Sequence, residues 1–146
     1  MIALAFALSL VLLLVTTLHV YWGIGGIWPG TDAASCARAV GGFRGVEAMP
    51  GPAACFAVAA CLGLATLWPM ALMGVFATPF ATQGLAATAF VIGLVFLGRG
   101  IAGYTPAWRR LTPEQPFAAN DVRYFSPLSL LIGAGFAVLA VTQFPT

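Results

Sequence analysis

The chain has 146 residues, of which 61% are hydrophobic and only 7% charged, and its formal net charge is +2. A soluble domain carries about a quarter charged residues because its surface must face water, and a chain this short has too much surface to hide so much apolar material in a core. That excludes an ordinary soluble domain, and the small net charge excludes the basic patch or stripe with which nucleic-acid binders meet phosphate.

Lipid is therefore the expected solvent and the bilayer the expected partner. Within lipid a helix satisfies its own backbone groups without water, so the predicted fold class is all-α: one polytopic membrane domain built as a four-transmembrane-helix bundle. A hydrocarbon core of about 30 Å needs roughly 20 residues of helix. The first stretch that qualifies runs from about 2 to 22. No basic residue precedes it, and it ends in His19-Val20-Tyr21-Trp22 rather than in a small-residue cleavage site. It reads as a retained helix, not a signal peptide.

A long polar connection, 23–52, carries Asp32, Arg38, Arg44 and Glu47. The second span covers about 53–76, with Pro69 expected to kink it. The short, uncharged connection 77–83 leads to a third span at about 84–104. A second polar connection, 105–125, holds Arg109, Arg110, Glu114, Asp121 and Arg123. The fourth span is predicted over about 127–144, with Ser126-Pro127 as its start because proline suits a first helical turn. Every loop arginine thus falls in the first or third connection, and the positive-inside rule places both in the cytoplasm. The expected orientation has both termini outside.

Small residues recur at four-residue spacing within the spans. Ala53, Ala57, Cys61 and Ala65 mark the second, Ala89 and Gly93 the third, Gly133 and Ala137 the fourth. Such stripes let helix backbones approach closely, which drives packing where lipid removes the hydrophobic incentive.

His19 is the only histidine and lies in the last turn of the first span, on one face with Trp22. Arg99 lies near the end of the third span, and an ionisable group there calls for a partner; Asp121 is the expected one, as a charge-assisted pair. The plain alternative is an arginine that snorkels to the headgroups among interfacial Tyr and Trp. His19, Tyr21, Trp22, Arg99, Asn120, Asp121 and Tyr124 form a candidate polar pocket at the cytoplasmic boundary.

Other chemistry is thinly supported. Cys36, Cys55 and Cys61 are an odd set without zinc or disulfide spacing, and no metal site is predicted. No cofactor is predicted; for haem, His19 offers one axial ligand, with Met70 or Met73 as the conceivable second. Gly98-Arg99-Gly100-Ile101-Ala102-Gly103 fits a dinucleotide fingerprint letter for letter, but it follows a membrane helix rather than a strand. Its glycines read as close packing and a helix exit. No nucleophile has a base beside it in sequence.

Three segments carry a family resemblance: Leu18-His19-Val20-Tyr21-Trp22-Gly23-Ile24-Gly25-Gly26-Ile27-Trp28, Arg99-Gly100-Ile101-Ala102-Gly103, and 117–128, which contains Asn120, Asp121 and Tyr124. They resemble the bacterial membrane family catalogued as domain of unknown function 3995. The resemblance implies a four-helix protein of the bacterial inner membrane and supports grouping His19, Trp22, Arg99, Asn120, Asp121 and Tyr124, but implies no activity. Small size, smooth helix faces and the absence of a complete catalytic set favour an accessory subunit or assembly factor of a larger membrane complex. The alternative is a binding or catalytic module for a membrane-soluble quinone, isoprenoid or lipid, motivated by the boundary residues. A transporter is disfavoured because no charged residue lies near the midplane, where substrate sites sit.

Overall fold

The computed structural model describes residues 1–143 and is all-helical there. Four helices are long and apolar enough to cross a membrane: α1 (Ile2–Gly23), α3 (Pro52–Leu72), α4 (Thr82–Ala102) and a composite fourth, Phe117–Val141. The fourth is built from α6 (Phe117–Asn120), a π-helical turn at Asp121–Phe125 and α7 (Ser126–Val141). Two short helices, α2 (Ala33–Val40) and α5 (Pro106–Leu111), occupy the polar connections.

The fourth span begins ten residues earlier than the sequence suggests; the predicted end at Phe144 lies outside the described residues. Pro127 lies in the first turn of α7, as the sequence suggests, although not at the start of the span. It follows a widened turn in which the Ser126 N–H reaches back to the Asp121 carbonyl, and π-turns of this kind commonly mark functional positions in helices. The second span is shorter than expected, because Gly74 at φ +68 turns the chain after Leu72. Pro69 sits inside α3, in its last turn.

The bundle is two tight helix pairs. In one, α4 lies against α7 through the small residues picked out in the sequence: a Cβ built on Gly93 would come within 3.0 Å of the Gly133 carbonyl oxygen, and one on Gly133 within 2.7 Å of the Leu97 nitrogen. Phe96 and Phe136 stack across this seam with ring centroids 6.4 Å apart. In the other pair α1 packs on α3, and the Ser9 hydroxyl donates to the Thr66 carbonyl at 2.7 Å. Interhelical hydrogen bonds in membranes contribute about 0.6 kcal/mol on average, so packing carries most of the association.

The face of α3 that packs is not the predicted stripe. Cys55, Ala59, Ala65, Pro69 and Leu72 are buried, whereas Ala53, Ala57 and Cys61 are exposed and only Ala65 of that set turns inward. The reason is geometric. Each four-residue step advances a helix by about 40° beyond a full turn, so a stripe of constant spacing winds from the outer face of α3 to its inner one.

The two pairs meet more sparsely. At the end away from the arginines, the Trp68 indole donates to the Leu85 carbonyl at 3.1 Å and ties α3 to α4. At the arginine-bearing end the polar connections cap the bundle together. The Glu114 N–H donates to the Gly42 carbonyl at 3.1 Å, the Gly45 N–H to the Glu114 carboxylate at 3.0 Å, and the Arg44 N–H to the Leu111 carbonyl at 3.2 Å. Phe117 rests on Gly42, whose φ of +64 and lack of a Cβ make room for the ring.

Candidate functional site

Arg99 stands one turn from the end of α4, and the π-turn delivers Asp121 opposite it. An Arg99 Nη atom lies 2.7 Å from Asp121 Oδ1. Asp121 is completely buried, and its two oxygens are fully engaged: Oδ1 also accepts from the Ser126 hydroxyl at 3.1 Å, and Oδ2 accepts from the Trp108 indole N–H at 2.9 Å. A buried carboxylate is tolerated only when it is paired and hydrogen-bonded in this way. Among the described residues, no buried side-chain nitrogen or oxygen lacks a partner.

Each element of this network has a local cause. Thr105 caps α5 by accepting from the Trp108 N–H, and Pro106 suits the first turn; the helix then folds Trp108 back under α4. The Arg99 guanidinium lies over the Trp108 ring, 4.6 Å from its centroid, a stacking arrangement that favours arginine over lysine. Gly103 leaves space for the Ser126 hydroxyl, which any Cβ there would overlap. Gly100 likewise admits Leu130 and the Ser126 backbone. Of the three glycines that mimic a dinucleotide fingerprint, Gly100 and Gly103 thus serve close helix approach, whereas a Cβ on Gly98 would meet open space.

Beside this network a groove runs between α3 and α4. Its walls are Cys61, Leu62 and Ala65 of α3 and Val91, Ile92, Val95 and Phe96 of α4, and Arg99 contributes to its lining. The cavity has a volume of about 440 Å³; ligand pockets span roughly 300–1,000 Å³. From Val91 to Arg99 it extends about 12 Å along the helix, most of the half-thickness of a hydrocarbon core. The Arg99 side chain as a whole is 31% exposed.

His19 belongs to a different cavity. Its Nδ1 lies 2.8 Å from the Val15 carbonyl; a carbonyl only accepts, so Nδ1 is the donor. The ring meets Trp22 edge-on at 5.1 Å, and both line a smaller cavity of about 170 Å³ with Val40, Met49, Pro50, Ala54, Cys55 and Val58. The Trp22 indole donates to the Trp28 carbonyl at 2.7 Å, and the Trp28 N–H donates to the Tyr21 hydroxyl at 3.3 Å. Met70 and Met73 stand towards the other end of α3. Met70 is about 22 Å along the helix from Cys55, beside His19, which separates the residues considered for axial ligation.

Of the seven residues grouped from sequence, the structure therefore brings Arg99 and Asp121 into contact, and His19, Tyr21 and Trp22 into a separate cluster. Asn120 is half-buried next to Asp121 on the helix; Tyr124 is exposed and packs beneath the Arg123 guanidinium, 5.1 Å from its ring centroid. Sequence reasoning missed Trp108 and Ser126 as members of this network, while Gly103 packs closely, as its motif was read. Ser126 carried a signal, as the serine nearest Asp121 in the chain; it was read as a helix start, which it also is for α7.

No curated protein and no solved structure matches the chain. A family model described as protein of unknown function (DUF3995) matches residues 12–136, which takes in α3, α4, the arginine-bearing cap and both clusters. By that match, spanning most of its length, the chain belongs to the DUF3995 family.

Proposed function

We propose that this protein binds a membrane-soluble amphiphile (a quinone, isoprenoid or lipid), with the apolar chain in the α3–α4 groove and the polar head at Arg99. The observation that carries this reading is a groove between α3 and α4 walled by apolar side chains, with Arg99 the one charged residue that lines it. An amphiphile has that same order of surfaces. The groove's length fits a chain confined to one leaflet, and a lateral opening lets it arrive from the bilayer without crossing water. The arginine count of the two connections supports a cytoplasmic placement of this end and hence the inner leaflet of a bacterial inner membrane.

A second reading, an accessory or assembly subunit of a larger membrane complex, is favoured by the outward set Ala53, Ala57 and Cys61, a smooth face on which another helix could lie closely. Native mass spectrometry of protein extracted gently from its own membranes separates the two. Amphiphile binding gives a defined adduct on the protein, lost in Cys61→Trp and Val91→Trp, which fill the groove from exposed positions. A fixed-ratio complex without an adduct, or an adduct indifferent to both substitutions, refutes the binding reading.

A further inference from the structure

The cap of polar connections carries a cationic edge that no acid offsets. Arg44 comes from the connection after α1 and Arg110 from α5, and their backbones are held side by side. The Arg44 N–H donates to the Leu111 carbonyl at 3.2 Å, and the Arg44 guanidinium donates to the Arg110 carbonyl at 3.4 Å. Both residues are exposed. Among the described residues the only ion pair within 4 Å is Arg99–Asp121. The acid in this part of the cap, Glu114, gives its carboxylate to the Gly45 N–H at 3.0 Å. Arg109, next to Arg110, donates to the Ala118 carbonyl at 3.1 Å and adds its charge to the same region. Like charges gathered in this way repel one another, and a bound anion would relieve that.

We infer that the edge formed by Arg44 and Arg110 binds the phosphate of an anionic phospholipid, independently of the α3–α4 groove. The donors suit a phosphate, whose oxygens match the planar fork of a guanidinium. Each fork has five N–H groups; the Arg44 side chain spends one within the described residues and the Arg110 side chain none. The surroundings suit a lipid rather than a soluble anion. Phe43, before Arg44, is 44% exposed, and Leu111, after Arg110, is 51% exposed. Exposed apolar side chains beside arginines are what a segment lying on a bilayer presents, with the apolar groups at the acyl boundary and the cations among the headgroups. The position fits as well: α4 ends at Ala102 and α5 begins at Pro106, a tether too short to carry α5 far from the end of the span.

The test uses the full-length protein in nanodiscs of phosphatidylcholine and phosphatidylglycerol at equal mole fraction, with the retained lipids counted by native mass spectrometry. The expected result is a preference of roughly tenfold for phosphatidylglycerol, weakening as ionic strength rises. Arg110→Gln removes no side-chain hydrogen bond within the described residues and should reduce the preference roughly fivefold; adding Arg44→Gln should abolish it. Arg38→Gln with Arg123→Gln takes the same charge from elsewhere in the cap and should leave the preference in place. Equal retention of the two lipids by the wild-type protein overturns the inference. An equal loss in the Arg38 and Arg123 double variant also overturns it, since net charge alone would then suffice. Displacement of phosphatidylglycerol by inorganic phosphate would mean a site for soluble anions, and the lipid assignment falls. A preference lost in Cys61→Trp but kept in Arg110→Gln would put the lipid in the groove and remove it from this edge. The wild-type comparison decides even if the Arg44 and Arg110 double variant does not fold.

Discussion

Removing the Asp121 side chain tests the network at its centre. Asp121→Ala deletes three hydrogen bonds, from Arg99, Trp108 and Ser126, and strands the guanidinium without its counter-charge. Breaking a buried ion pair by removing one partner costs about 3–5 kcal/mol. Arg99 is 31% exposed and regains some solvation at the boundary, which brings the expected loss to the lower end, about 3 kcal/mol. Arg99→Ala should cost at least as much, because it leaves the carboxylate rather than the guanidinium unpaired and Asp121 has no access to solvent. The double variant removes both charges and should be destabilised by less than the sum, with a coupling of about 1.5 kcal/mol or more, in the range found for residues in one network. Equilibrium unfolding in mixed micelles, followed by circular dichroism, measures all four corners of the cycle. Additive losses, or an Asp121→Ala protein as stable as the wild type, would show that the pair is an ornament of the boundary and does not organise the site.

Other consequences follow from particular contacts. Gly133→Ala should destabilise the α4–α7 pair by about 1–3 kcal/mol, because its Cβ meets the Leu97 backbone at 2.7 Å and backbone cannot swing aside; thermal denaturation in detergent checks it. The Asp32 carboxyl, outside the spans, is held below its ordinary 3.8 by hydrogen bonds from Ser35 in the capping box of α2. A depressed folded-state value stabilises α2 above the ordinary carboxylate range and is lost as pH falls through the folded value. Amide exchange in the first turn of α2, corrected for intrinsic rates, should therefore stay slow near neutrality and quicken below about pH 4, and Asp32→Ala should abolish that dependence. Burial raises the Cys36 thiol above its ordinary range, so a water-soluble maleimide should label Cys36 only after unfolding; prompt labelling of the folded protein would contradict its placement. A reporter fused to the C-terminus should be active outside the cytoplasm, and a cytoplasmic signal would reverse the orientation.

How much of this was legible in the chain depends on the length scale. Hydropathy found four spans because crossing lipid is a property of each segment alone. The Arg99–Asp121 pair was legible for a similar reason: an arginine one turn inside a span needs a counter-charge, and Asp121 is the acid just ahead of the neighbouring span. The start of the fourth span was not, since Asn120, Asp121 and Arg123 make 117–125 look like a loop. Pairing with Arg99 lets Asp121 sit in a helix, and the π-turn absorbs Pro127. Trp108 was hidden because its contact depends on α5 folding back within the connection between α4 and α6, and the groove because it is set by the spacing of α3 and α4, which no single-segment pattern encodes. The grouping of His19 with Arg99 rested on shared depth and on the family resemblance, neither of which fixes which helices pair; the helix pairing sends them to different cavities.

The central claim is that the α3–α4 groove holds an amphiphile's chain, and photo-crosslinking tests it most directly. A decylubiquinone analogue with a diazirine on its tail, irradiated with the protein in nanodiscs, should mark Cys61, Val91 and Val95, with labelling suppressed by unmodified decylubiquinone. Labels spread over the exposed faces of all four spans, undiminished by that competitor, would mean that the probe reads only the surrounding lipid and that the groove binds nothing.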